Sequence, residues 1–212
     1  MHLPLFPLPS VFFPREKIPL HIFETRYCQL IYDCKEEAIT FGIPVFLEKL
    51  MPYGVEVQLE EIVQLHTGGA IDVICVAKRV FKMLTFQDTM GTKLYAGGTV
   101  SFIGNVKDGK VAFKEQVLAA IEELYALMGV PFVPTLADEF DCFSIAHKIG
   151  LSKLQEYELL QLAKESERLL FIAVHLKQLI GMLKEVNRTK EVIALNGHFK
   201  NFDPIDFKDF KI

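Results

Sequence analysis

The sequence has no tryptophan, and its four cysteines, Cys28, Cys34, Cys75 and Cys142, stand apart from one another. They lack the paired C-x-x-C spacing of a zinc site and are too sparse in a chain of 212 residues for a disulfide scaffold. They are expected to be reduced, mostly buried thiols. A phosphate-binding loop needs glycines at fixed spacing before Lys and Ser or Thr, so that backbone amides cradle the phosphates. Gly91-Thr92-Lys93 and Gly97-Gly98-Thr99 do not meet that spacing, which argues against an ATPase. Cationic excess is also missing: the net charge is −4, and no basic–aromatic stripe suggests nucleic acid or an anionic membrane as partner. The most apolar helical stretch, Leu169 to Leu183, is interrupted by His175, Lys177 and Gln178 and is too short to span a bilayer. The N-terminus carries no Lys or Arg before its apolar run, and its prolines would break a signal-peptide core. The histidines, His2, His21, His66, His147, His175 and His198, show no H-x-x-x-H and no carboxylate at matched spacing, so no metal and no cofactor is expected. Together these absences predict a soluble, cytoplasmic protein.

What the chain does have is phenylalanine, 18 in all, in a composition that is 50% hydrophobic and 24% charged. A chain of this length buries roughly 70% of its unfolded surface, enough for a full core. From Leu3 to Ile31 apolar residues interleave with Pro4, Pro7, Pro9, Pro14 and Pro19. Each proline removes an amide donor and clashes with a preceding helical turn, so the segment runs extended, with prolines at strand ends, edges or bulges. Helical spacing begins after Phe23.

Strand periodicity dominates from Ile39 to Phe113. Phe41 to Leu47 is a short apolar run, and Val55, Val57 and Leu59 alternate with Glu56, Gln58 and Glu60, a period of two that turns one face to a core. A turn at Thr67-Gly68-Gly69 precedes Ala70–Val76 and Arg79–Met83, a long strand or a bent pair. Short strands with regular turns predict a compact barrel or rolled sheet. At about Lys114 the pattern changes: Val117, Leu118, Ile121, Leu124, Tyr125 and Met128 share one helix face, stopped by Gly129 and Pro131. Thr135 with Asp138 and Ser152 with Gln155 read as capping boxes for two further helices. Ser166 to Val186 is apolar on more than one side and is expected in the middle of a bundle. The fold class is therefore α+β, a β-rich subdomain over residues 1–114 and a helical bundle over 115–187. A tail over 188–212 has phenylalanines interspersed with charge.

The opening run Leu3-Pro4-Leu5-Phe6-Pro7-Leu8, with Leu20-His21-Ile22-Phe23-Glu24-Thr25-Arg26-Tyr27, resembles the Lon N-terminal domain family, the polypeptide-recognition module at the front of Lon proteases. Arg15 stands where that family usually has Gly after Pro14, and Thr25 where it has Pro. Gly68-Gly69, Lys78-Arg79-Val80-Phe81, Leu159-Leu160 and Arg168-Leu169 extend the similarity to roughly Leu3–Glu185, although the Gly-Thr pair usual in the third strand is replaced around Val57-Gln58. The resemblance implies a PUA-like barrel followed by helices. It also implies a stand-alone recognition module without the ATPase and Ser-Lys peptidase domains, hence no catalytic residue. Pro14, Phe23, Glu24, Arg26 and Tyr27 are the structural motif, with Glu24 serving the helix dipole and Arg26 clamping a carboxylate or carbonyls.

The function expected is a non-enzymatic, proteolysis-associated module that binds unfolded or client polypeptides in an apolar groove between barrel and bundle, acting with a protease or chaperone. An RNA-binding PUA-like protein and a purely structural interaction protein are the alternatives. Phe12 and Phe13 are adjacent on an extended segment and must face opposite ways, one to the core and one outward. With Phe199 and Phe202 of the tail they are the candidate polypeptide-binding residues. Cys28, near His21 in sequence, reads as a buried thiol rather than a nucleophile.

Overall fold

The computed structural model describes residues 1–133 and 135–199. Its strands are β1 (His2–Leu5), β2 (Lys17–Ile22), β3 (Phe41–Phe46), β4 (Leu50–Leu65), β5 (Ile71–Met83) and β6 (Ala96–Phe102). The helices are α1 (Thr25–Glu37), α2 (Val111–Met128), α3 (Cys142–Ile145), α4 (Lys153–Gln161) and α5 (Glu165–Phe199), with a 3-10 turn at Ala146–Lys148 after α3. The α+β class expected from the sequence is found.

Strand order is β2-β5-β4-β3-β1-β6, and β6 pairs back onto β5, so β1, β3, β4, β5 and β6 close into a barrel with β2 added on its outside. All pairings are antiparallel except β1 with β3, where Leu5 meets Gly42. The prolines sit where a missing donor is tolerated: Pro19 lies in β2, an edge strand, and Pro44 at a register shift in the β3–β4 ladder. Closure brings backbones together. A Cβ on Gly98 would lie 2.2 Å from the Thr85 carbonyl oxygen and 2.8 Å from Leu5 Cδ1, so only glycine fits there.

β4 and β5 form a long hairpin, and β5 runs unbroken through the two stretches that the sequence left open as a long strand or a bent pair. Register shifts after Glu56, Leu59 and Ile62 bend it, so that β5 serves two sheets. Its first half pairs with β2, its last three residues with β6. Val55 and Val57 are buried as expected. Glu56 departs from the alternation: it is only 3% exposed, accepting from the Thr40 hydroxyl at 2.9 Å and from the Arg79 guanidinium at 2.7 and 3.1 Å. A carboxylate with three such donors can be buried where an unpaired one cannot.

The two departures from the family pattern have local explanations. Pro14 and Arg15 are the middle of a turn in which the Glu16 amide donates to the Phe13 carbonyl at 3.1 Å. Arg15 has φ 75°, left-handed backbone that glycine adopts without strain. Thr25 is the first residue of α1, the position at which proline is tolerated because its amide has no helical partner.

The helical half differs from the expectation in three places. α2 ends at Gly129 as predicted, with φ 69° and its amide donating to the Ala126 carbonyl. Ser152 and Gln155 make the full capping box of α4. Thr135 and Asp138, however, cap nothing; α3 starts later, capped by Asp141, whose side chain accepts from the Phe143 amide at 3.0 Å. α5 is not buried all round: Leu169, Ile172, Leu176 and Ile180 are core, whereas Leu170, Val174 and Met182 are about half exposed or more. Fewer long helices surround it than a four-helix bundle needs, because α3 is four residues long and α4 nine. α5 also continues through Arg188 to Phe199, so the tail residues from 188 are helical as far as Phe199.

One hydrophobic cluster runs through barrel and helices alike, from Val45, Val55 and Val73 to Leu159, Leu169 and Leu176. Within the helical half, Lys114 of α2 and Glu165 of α5 form an ion pair at 2.9 Å with side chains 11% and 7% exposed. Asp108 accepts from the Ser166 amide and hydroxyl, each at 2.8 Å, fixing the barrel-to-helix linker to the start of α5.

Candidate functional site

Barrel and helices meet along a cleft with two adjoining halves that share Pro14 and Phe143. The first half, of about 500 Å³, lies between the Phe13–Glu16 turn and the α3 region. Its floor is built by Phe13, 1% exposed, stacked on Phe143 with ring centroids 5.3 Å apart. Arg15, strained outward by its positive φ, pairs with the Asp141 carboxylate across the cleft. Beside them the His147 ring bridges the two halves of the molecule, 3.3 Å from Glu16 and 2.7 Å from Glu156 of α4. The Glu16 carboxylate, more than burial opposes it, and then the Glu156 carboxylate raise the His147 imidazole to about 9. Glu139 and Lys148 complete a mixed-charge rim.

The second half, of about 390 Å³, is flanked by cations. Arg79, held by Glu56, lies over the Phe102 ring at 3.7 Å. Arg168, 2% exposed, lies over the ring of the shared phenylalanine, 4.5 Å from the Phe143 centroid. It donates to the Leu162 and Ala163 carbonyls at 2.8 and 3.1 Å and to Asn105 Oδ1 at 2.7 Å. Its Nε is buried without a hydrogen-bond partner. Burial lowers the pKa of this guanidinium from its usual value. Arg79 and Arg168 are the arginines of the two basic–apolar motifs noted in the sequence, and the fold brings both to this cleft. Their spacing along the chain carries no trace of that meeting.

The sequence-based site residues scatter. Phe13 is a core residue under the cleft, and Phe12 is half-buried, packed against the same core, so neither ring stands free as the outward one was expected to. Phe199 is the last residue of α5, and Phe202 lies outside the described residues. Of the structural motif, Tyr27 is buried, stacked on Phe6 with centroids 3.8 Å apart, and Pro14 shapes the cleft turn. Glu24 precedes α1 without a side-chain capping bond; its carboxylate is taken by Arg26 at 2.7 Å. Phe23 is 70% exposed and cannot be a packing residue. Cys28 is half-buried, its thiol directed at the Gly69 and Ile22 carbonyls and pushed up by burial, which disfavours the thiolate. Cys34 and Cys75 are pushed up to about 12 for the same reason. The histidines are less scattered than the sequence suggested, because His21 and His66 converge on Asp72.

Among the described residues no helix is long and apolar enough to cross a membrane. The cleft has an apolar aromatic floor, cationic and acidic rims, and walls from both halves. The family model for the substrate-binding domain of the ATP-dependent protease La (LON) matches residues 2–178. Among solved structures, a Lon N-terminal domain protein from Xanthomonas campestris is similar at 26% identity and a TM-score of 0.66, covering 82% of this chain and 98% of that one. The N-terminal domain of the Mycobacterium avium complex Lon protease shares the fold at 15% identity and a TM-score of 0.60, over 84% of this chain and 98% of its own. The curated proteins contain no match. With a family match over most of its length and the barrel-and-helix fold to accompany it, this chain belongs to the LON substrate-binding domain family.

Proposed function

We propose that the protein is a non-catalytic polypeptide-binding module and that the barrel–helix cleft is where it takes an extended segment of its client. The observation that carries this reading is the continuity of the two cleft halves through Pro14 and Phe143. The partly exposed Pro14, Phe102 and Ile103 offer apolar contact, which is non-directional and tolerant of sequence. Lys78 beside one half, and Glu139 and Lys148 beside the other, are exposed and offer contacts to a chain that carries either charge. Arg168, buried and 4.5 Å from the Phe143 centroid, braces the floor instead, which limits the ordering cost of binding. Phe199 ends α5, and the residues after it, Phe202 among them, have the composition of an extended segment such a cleft accepts and are proposed as its intramolecular competitor.

The test is fluorescence anisotropy with a labelled, permanently unfolded polypeptide. Ser144 is exposed at the rim, so Ser144→Trp occludes the first half without touching the core. A loss of affinity of about tenfold, on the order of 1.4 kcal/mol, is expected, and truncation after Asn196 raises affinity. Unchanged binding in Ser144→Trp, with the fold intact, would remove the cleft as the site. Binding of a labelled RNA in place of the polypeptide would replace the function.

A further inference from the structure

Away from the cleft, at the far end of the β4–β5 hairpin, a histidine of β2 meets a histidine and an aspartate that flank the hairpin turn. His21 of β2 sits opposite Asp72 of β5 in the strand register. His66 follows the end of β4, its amide donating to the Ala70 carbonyl across the hairpin turn. His21 Nδ1 lies 2.6 Å from one oxygen of the Asp72 carboxylate and His66 Nε2 2.7 Å from the other. The two rings meet nearly edge-on with centroids 5.5 Å apart. All three donor atoms lie within 4.8 Å of one another, and among the described residues this is the one such group of His, Cys, Asp and Glu.

We propose that His21, His66 and Asp72 form a binding site for a divalent transition-metal ion of the zinc and nickel class. Two imidazole nitrogens and one carboxylate oxygen suit borderline ions, whereas magnesium and calcium require sets made mostly of oxygen. The strand pairing fixes the backbones of His21 and Asp72 independently of any ion, so the site is largely assembled beforehand. Ligand atoms around a tetrahedral zinc, with bonds of about 2.0–2.1 Å, stand about 3.3 Å apart. The present separations of 2.6 and 2.7 Å therefore need to open by about 0.6–0.7 Å, a small side-chain adjustment at residues this exposed. With side chains 58%, 34% and 34% exposed, the three also leave an entry path and free coordination positions. His147 makes the contrast. It too touches two carboxylates, but through opposite ring nitrogens, so no single ion can reach all three groups.

A bound ion would tie β2 to both strands of the hairpin beside Phe23, whose exposed ring is 6.1 Å from that of His21. The test uses the full, untagged chain stripped of metal by a chelator. Zinc is titrated in competition with a chromophoric chelator, and cobalt by its absorption spectrum. One equivalent per chain is expected, and His21→Ala, His66→Ala and Asp72→Asn are each expected to weaken binding at least about tenfold, while His147→Gln leaves it unchanged. Proton resonances provide a readout that needs no variant: zinc should shift those of two of the six histidines and spare the rest. Failure to bind one equivalent, or binding that survives replacement of all three residues, overturns the proposal.

Discussion

Arg15 holds two opposed contributions in one residue. Its φ of 75° places a side chain in backbone that costs a non-glycine residue about 1 kcal/mol. Its guanidinium recovers part of this through Asp141, but Arg15 is itself 68% exposed, and such pairs contribute about 0–1 kcal/mol. Arg15→Gly is therefore expected to be at least as stable as the parent chain, and Arg15→Ala less stable than Arg15→Gly by about 1 kcal/mol. Chemical denaturation of the three proteins checks this. Equal midpoints for the Gly and Ala variants would mean that the backbone strain is absent. Phe23 shows the same logic in reverse. It belongs to the family-like motif, yet its ring is 70% exposed, so burial in the core does not account for it.

At the scale of elements, His147 joins the turn before β2, the 3-10 turn after α3, and α4. Its folded-state value, raised by the Glu16 and Glu156 carboxylates to about 9, exceeds the ordinary 6.5 of an unfolded chain. A raised cationic group stabilises fully below its unfolded value, and that stabilisation is lost as pH rises through the folded one. The window is thus from about pH 6.5 to about pH 9. Thermal melts across it should show the parent chain losing more stability than His147→Gln. Parallel curves for the two proteins would show that the imidazolium does not form in the folded state. The Phe13 ring, stacked on Phe143, lies 5.0 Å from the His147 ring, so the ion network packs against the cleft floor.

Over the whole molecule, the larger hydrophobic cluster spans barrel and helices, and a smaller one of Leu3, Leu5, Phe81, Ala96 and Val100 lies within the barrel. Phe13, Val55 and Val73 belong to the same cluster as Phe143, Leu160 and Leu176. Removing the helices would uncover Phe13 and leave Tyr53 without the Tyr157 hydroxyl that its amide meets at 3.2 Å. A fragment of residues 1–110 is expected to aggregate or to remain partly folded, and the full chain to melt in a single transition. Well-dispersed amide signals and a cooperative melt from that fragment would show that the barrel is self-sufficient.

The sequence by itself determined the elements. Proline density excluded helix before Phe23, alternation marked β4, three-and-four spacing marked α2, and Ser152 with Gln155 marked the start of α4, because each depends on neighbours within a turn or two of chain. The family-like motifs reached further and pointed to the barrel. What sequence patterning did not contain is everything decided by closure. Glu56 alternates like a solvent-facing residue, yet Arg79 and Thr40 carry it inside. α5 reads as buried all round, yet its short neighbours cover only one side. Arg79 and Arg168 became walls of one cleft, and His21, His66 and Asp72 one cluster, only when β5 was paired with β2 and β6 and the helices were laid against the barrel. Local periodicity is a property of residues a few bonds apart. A site is a property of residues brought together by burial of apolar surface, and tertiary packing alone chooses which those are.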